Sequence, residues 1–259
     1  MTNQETLETF GFKFGKSGAH SARSMMIVEL KQLLDGRPEN ASKDDYQEDV
    51  LTFNQLHKPT ENSRKLTFRH LVDLYGMSME VPLFREFRKL WHLDEESQNL
   101  LALQLAVVRD PLFRKSVPTI LALGPGEQID REVIEALLAE DDPDRFSNAS
   151  LKSFAQNING TWTQAGYLKG KAKKVRQEVK PSYVNVLFAL WLSRLEGRTG
   201  QRLFTSEWCK LLDRNVDSLI ALAHTASARG LIGFKHVGEV IEVNFSNMFT
   251  EPEKELLNV

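Results

Sequence analysis

The chain of 259 residues is 41 % hydrophobic and carries a formal net charge of −2 with 26 % charged residues. That apolar content is ample for a core and excludes a disordered or fibrous chain. The near-neutral balance excludes a uniformly basic coat or an acidic mimic, so any electrostatic argument must be local. Cys209 is the single cysteine, which rules out an intrachain disulfide, argues against a cysteine-based structural zinc site and fits a reducing compartment. The start, MTNQETLETF, lacks a basic segment followed by an apolar one, so a cytoplasmic location is expected. The most apolar stretch, Tyr183 to Leu195, holds Asn185, Ser193 and Arg194 within thirteen residues. It falls short of the roughly 18 to 20 apolar residues of a membrane span and reads as a buried central helix, with no membrane partner.

In chain order, residues 1–19 are polar and glycine-containing (GFKFGKSG) and suggest an arm lying on the body. Helical periodicity starts at Ala22, with Met25, Met26, Leu30, Leu33 and Leu34, and ends at Gly36 and Pro38. Ser42 with Asp45 resembles a capping box, opening a helix through Tyr46, Val50, Phe53 and Leu56 that stops before Pro59. Between Thr60 and Gly76 the pattern allows one helix, or a short turn and a helix from Thr67; the second is preferred. The pair spanning 42–76 would form a helix-turn-helix. Further helices are predicted from Pro82 to Trp91, from Asp94 to Arg109, and from Pro111 onward with an interruption near Pro118. LGPGEQ at 123–128 is a turn, an acidic helix covers Asp130 to Ala139, and EDDPD is a loop.

At Ser147 the charge reverses: residues 127–150 hold two Lys or Arg against eight Asp or Glu, whereas 151–210 hold eleven against three. A boundary is placed there, between a helical domain (20–146) and a basic segment with a second domain (147–246); residues 247–259 are a tail, peripheral helix or frayed end. The second domain reads as helices at Pro181 to Leu195, Ser206 to Leu212 and Asp217 to Arg229, then strands LIGFK (231–235) and VIEVNF (240–245) about a turn at Gly238. Three helices and a hairpin in that order make a winged helix. The fold expected is therefore mainly α, a globular multi-helix protein with helix-turn-helix motifs and a winged-helix-like C-terminal part with a short β-hairpin.

Phosphate-binding, dinucleotide, zinc-protease and serine-hydrolase signatures do not occur, and the six histidines have no metal-ligand spacing. The acidic turn Glu140, Asp141, Asp142 and Asp144 reads as solvated, and Cys209 beside Trp208 as an inert core thiol. No catalytic residue, metal or cofactor is assigned. The informative feature is WTQAGYLKGKAKKVRQEVK: Lys169, Lys171, Lys173, Lys174, Arg176 and Lys180 stand against one acid, Glu178, with Trp162 and Tyr167 upstream and Gly166 and Gly170 allowing close backbone approach. Such a cluster suits phosphates, whose neutralisation releases counterions; a merely solvated basic face is the alternative. A second group, Lys58, Arg64, Lys65, Arg69 and His70, lies in the 42–76 region, where Glu61 and Asp73 could neutralise it. The helix Asp217 to Arg229 offers Ser218, His224, Thr225 and Ser227, a surface that suits a docking partner as well as DNA.

The strings ARSMM (22–26), Thr60 to Tyr75 with LVDLYG, RDPLFRKS (109–116), WTQAGYLKGKAKK (162–174) and LFTSEW (203–208), in this order and spacing, resemble the BrxA family of the bacteriophage exclusion (BREX) systems of bacteria, over residues 10–246. The resemblance implies a nearly all-helical protein with helix-turn-helix motifs that binds double-stranded DNA without catalysis, beside other proteins of the phage-defence complex. It carries over to Arg64, Arg69, Trp162, Lys169, Lys171, Lys173, Lys174 and Arg176. The family has also been likened to the RNA-binding antitermination factor NusB. A monomer is expected. A protein-docking scaffold and an RNA-binding factor are the alternatives.

Overall fold

Two helices that are buried on nearly every side form the centre of the computed structural model, which describes residues 3–238 and 240–257. The first two residues of the arm and the last two of the tail lie outside this range. In chain order the helices are α1 (Asn3–Phe10), α2 (Ile27–Asp35), α3 (Lys43–Leu51), α4 (Glu61–Tyr75), α5 (Pro82–Leu90), α6 (Gln98–Arg109), α7 (Pro111–Arg114), α8 (Val117–Leu121), α9 (Arg131–Ala139), α10 (Asn148–Gln164), α11 (Tyr183–Leu195), α12 (Glu207–Lys210), α13 (Val216–Ala228) and α14 (Glu251–Leu257). The strands are β1 (Gln128–Ile129), β2 (Leu168–Lys169), β3 (Lys174–Arg176), β4 (Gly233–Val237) and β5 (Val240–Asn244). All pairing is antiparallel, in a three-stranded sheet of order β1-β3-β2 and a C-terminal β4–β5 hairpin. The protein is thus mainly helical.

The central pair is α6 and α11, in which LLALQLAVV and YVNVLFALWL leave almost no solvated face. A helix apolar all round belongs inside, and here α4, α5, α10 and α11 surround α6. Each fully buried Leu, Val or Phe in the pair contributes about 1.5–3 kcal/mol relative to exposure. Two amides fix the pair's register: Gln104 donates to the Asn185 carbonyl (2.9 Å), and Asn185 Nδ2 donates to Gln104 Oε1 (3.2 Å) and to the Ser97 carbonyl (3.2 Å). Asn185 Oδ1 meanwhile accepts from the Ser182 amide, closing a capping box on α11.

Several sequence expectations differ from what forms. The arm opens with a helix, α1, and Leu7, Phe10 and Phe12 enter the core, Phe10 edge-on to Trp191; at eight residues, about two turns, it is too short to register as periodicity. The next helix begins at Ile27 rather than Ala22, because Met26 adopts a left-handed conformation (φ 49°), although Met25 and Met26 are buried as anticipated. The Ser42–Asp45 capping box is present, but α3 ends at Leu51; Asn54 and His57 are left-handed (φ 51° each), and Leu56 reaches the core from a loop. The preferred turn before Thr67 does not occur. Thr60 and Ser63 form a reciprocal cap, so 61–75 is one helix and Thr67 is buried within it. The interruption expected near Pro118 is present at Lys115–Ser116, and Pro118 lies in the first turn of α8. The charge reversal at Ser147 falls between α9 and α10, which pack on each other, while β1 pairs with β3 across it. The tail forms α14, held by a bidentate pair from Arg85 to Glu253 (2.8 and 3.0 Å).

A buried polar network ties the arm to this body. His20 is fully buried; its amide and Nδ1 both meet Asp110 Oδ2 (2.8 and 2.7 Å), and Nε2 meets Thr161 Oγ1 (2.7 Å). Asp110 Oδ1 accepts from the Phe113 amide (2.9 Å) and so caps α7, while the imidazole stacks on the Phe113 ring at 4.2 Å. Gly18 passes so close that a Cβ there would lie 1.6 Å from Asp110 Oδ1, so no larger residue fits. Burial works against the charged Asp110 carboxylate, but the hydrogen bonds and charge of His20 and the amides of Phe113 and His20 outweigh it and hold the carboxyl below its ordinary range.

A carboxyl held below its ordinary value stabilises the fold above the unfolded-state pKa and loses that contribution as pH falls through the folded value. Asp110→Asn is expected to cost about 3 kcal/mol near neutral pH, since it leaves buried partners unmatched. In urea titrations the gap to the wild type should shrink as the pH drops below about 4; a gap that is constant with pH would mean that Asp110 is not held ionised.

Candidate nucleic-acid interface

The basic run folds as a small hairpin. Helix α10 ends at Gln164, and Gly166 turns the chain with a left-handed φ of 89°. Strand β2 then pairs with β3 in the register Leu168 to Arg176 and Lys169 to Val175. At the turn Gly170 has φ 111°, and a Cβ there would come within 2.3 Å of the Lys173 carbonyl, so glycine is required for closure. Strands of two and three residues carry no readable alternation, and the sequence therefore showed the charge of this segment without its shape.

The hairpin is anchored by the residues that the sequence placed nearest to nucleic acid. Trp162 and Tyr167 are fully buried, with ring centroids 4.9 Å apart. The Trp162 indole donates to Ser116 Oγ (2.8 Å), and the Tyr167 hydroxyl donates to the Leu211 carbonyl. Arg176 is 1 % exposed. Its guanidinium lies over the Tyr167 ring at 4.9 Å, pairs with Asp213 (2.6 Å) and donates to the Ile120 carbonyl (3.3 Å) and to the Gln177 carbonyl. This corrects the assignment of Arg176 to phosphate and of Trp162 to that surface: both hold the hairpin to the body.

What remains outside is a set of lysines. Lys169, Lys171, Lys173 and Lys180 are exposed and make no ion pair among the described residues. Lys174 is half-buried, donates to the Gly170 carbonyl (2.7 Å), and has its pKa lowered by burial. Lys171 and Lys173 thus stand at the turn of a ribbon whose base is buried, with Lys169 on β2 and Lys180 beyond β3.

The second basic group divides in the same way. Arg64 turns inward to the Leu51 carbonyl (2.7 Å) and satisfies the end of α3; Lys65 pairs with Glu61 one turn earlier, and Lys58 with Glu29 (2.8 Å). Arg69 alone of the predicted trio is exposed with no ion pair or hydrogen bond among the described residues. It has a neighbour that the sequence reading missed. Burial, then the nearby charges of Arg69 and Arg23, lower the pKa of half-buried His70, so Arg23 belongs to this cluster. Adjacent Ser24 lies beside α10, where a Cβ on Gly160 would meet its Cβ at 3.6 Å. The segment Arg23–Ser24 therefore runs from the α4 cations towards α10, on which exposed Lys152 and Gln156 share a stripe with Gly160. Arg23 lay 46 residues from Arg69 in sequence, and no local pattern links them.

Other groups with chemical potential are buried or paired. Thr161, His20 and Asp110 have the connectivity of a nucleophile, base and orienting acid, but all three are shielded from solvent and Thr161 Oγ1 already accepts from the Met25 amide (2.8 Å). Cys209 is fully buried and its thiol is pushed up to about 12 by desolvation. In the acidic turn Asp141 is paired with Lys115 (2.7 Å). Among the described residues no group of three or more His, Cys, Asp or Glu side chains is placed to hold a metal ion, and no helix is long and apolar enough to cross a membrane. No family model matches the chain, and no curated protein matches it.

Two outcomes separate anchors from free cations. Arg176→Ala should lower stability by about 2 kcal/mol or more in urea titration, because Asp213 and the carbonyls lose their donor, whereas Lys171→Ala should leave the unfolding midpoint within about 0.5 kcal/mol. Cys209 should stay unreactive towards a thiol reagent at pH 7.5 until denaturant is added; rapid modification of the native protein would contradict its burial.

Proposed function

We propose that the chain binds double-stranded DNA without catalysing a reaction, chiefly through phosphate contacts, as a BrxA-like accessory of a cytoplasmic phage-defence complex. The observation that carries this reading is the basic hairpin, in which Lys169, Lys171 and Lys173 project unpaired from a ribbon anchored by Arg176, Tyr167 and Trp162. A firm base lowers the entropy lost when flexible ammonium groups are ordered on phosphates. Lys152, Arg23 and Arg69 extend the basic surface along α10 and α4. Within this reading α3 and α4 serve as a helix-turn-helix, and α11, α12, α13 and β4–β5 as a winged helix. The outer side of α13 offers His224 and Thr225 beside acidic Asp217, so it adds little phosphate affinity.

A second role, docking of a partner protein, is favoured by one observation. The β4–β5 tip pairs Val237 with Val240, and these side chains are 77 % and 71 % exposed. Single exposed apolar residues are ordinary, but two opposed at a hairpin tip suit an apolar contact.

Replacing Lys169, Lys171 and Lys173 by alanine should weaken binding to duplexes of unrelated sequence alike and flatten the plot of log affinity against log salt by about 0.9 per lost contact. Fluorescence anisotropy at several salt concentrations measures both. Unchanged duplex affinity in the triple variant would remove the hairpin as the interface. Preference for hairpin RNA over duplex DNA of equal charge would favour the RNA-binding alternative.

A further inference from the structure

Between the hairpin tip and the two helices beneath it lies a cleft of about 210 Å³, lined by Arg131 at the start of α9, Gln156, Asn159 and Gly160 of α10, and Lys171 and Lys174. It is small beside the ~300–1,000 Å³ of drug-sized sites, so it takes one nucleotide-sized group at most. No carboxylate lines it. Arg131 shares its charge with Glu132 and Glu135, which leaves the positive field to the two lysines.

Asn159 makes this cleft more than a gap between basic side chains. It is only 4 % exposed, yet its Oδ1 is buried with no hydrogen-bond partner. Buried amides are normally satisfied, and an orphaned one costs about 1–3 kcal/mol in general. Its Oδ1 is shielded from solvent and held by no bond, so a ligand meets the group after rotation of the carboxamide, which then presents a donor and an acceptor side by side, the pair that matches the donor–acceptor edge of a base such as adenine.

From these observations we infer that the cleft is a binding site for a single nucleotide, with Lys171 and Lys174 on its phosphate and the Asn159 amide on its base. The inference rests on the nucleic-acid reading for its ligand class. Free mononucleotide and the unpaired end of a DNA strand share this chemistry.

Calorimetric titration of the full chain with dAMP, adenosine and inorganic phosphate tests it. Saturable one-to-one binding of dAMP is expected, at least tenfold tighter than either fragment. It should weaken at least tenfold in near-isosteric Asn159→Asp, which sets a negative charge in the cleft, and in the Lys171→Ala/Lys174→Ala variant, whose changes lie at the hairpin and spare the core. A duplex with one unpaired 3′ nucleotide that displaces dAMP assigns the strand end as the source; no displacement assigns free nucleotide. Absence of saturable dAMP binding, equal affinity for phosphate and dAMP, or wild-type affinity in both variants would overturn the site. Saturable dAMP binding by a full chain that binds no duplex DNA even at low salt would sink the DNA reading and leave this site standing.

Discussion

The contact between His20 and Asp110 is the one on which the arrangement of the rest depends. One carboxylate receives the imidazole, the His20 amide and the first turn of α7, and the far side of the same imidazole reaches Thr161 in α10. Thr161 in turn accepts from the Met25 amide, and the Tyr75 hydroxyl donates to the Met25 carbonyl (2.6 Å). Arm, α4, α7 and α10 are therefore fixed by one chain of directional bonds among side chains shielded from solvent. Directional bonds so shielded set orientation more sharply than apolar contact does, and each is costly to leave unmade. The orientation of α10 decides where Gly166 releases the hairpin, so the basic surface inherits its position from a network with no net role in charge.

Several arginines serve the interior of this protein, where they answer helix ends. Arg88, fully buried, donates to the Leu34 and Arg37 carbonyls (2.7 and 2.6 Å) at the end of α2; Arg109 reaches the Leu74 carbonyl (3.1 Å) at the end of α4; Arg114 reaches that of Val107 (2.8 Å) in the last turn of α6. A helix C-terminus presents unsatisfied carbonyls and a partial negative charge, and a guanidinium answers several at once. The cost is visible at Arg109, whose pKa burial pushes down to about 10. Lysine, with one strongly hydrated charge on a flexible stem, stays outside. This division explains why Arg109, Arg114, Arg64 and Arg176 are structural while Lys169, Lys171 and Lys173 face solvent.

What the sequence determined by itself was whatever depends on near neighbours along the chain. The cap at Ser42, the proline start of α5 and the continuous apolar runs of α6 and α11 were legible because a helix repeats its burial every three or four residues and its ends need short polar side chains. The three helices and alternating pair of strands at the C-terminus were legible for the same reason, as was the position of the lysine cluster.

Tertiary structure alone decided which cations face water. Arg176 and Lys173 are three residues apart and look alike in sequence, but Arg176 points to Asp213 and the aromatic anchors while Lys173 sits at an open turn. It also decided that Arg23 joins Arg69, that Thr60 to Tyr75 is a single helix, and that Asn159 Oδ1 is left without a partner beside a cleft. Each of these depends on groups brought together from distant parts of the chain. A charge or an amide acquires its role from partners and solvent access, and neither is written in the residues beside it.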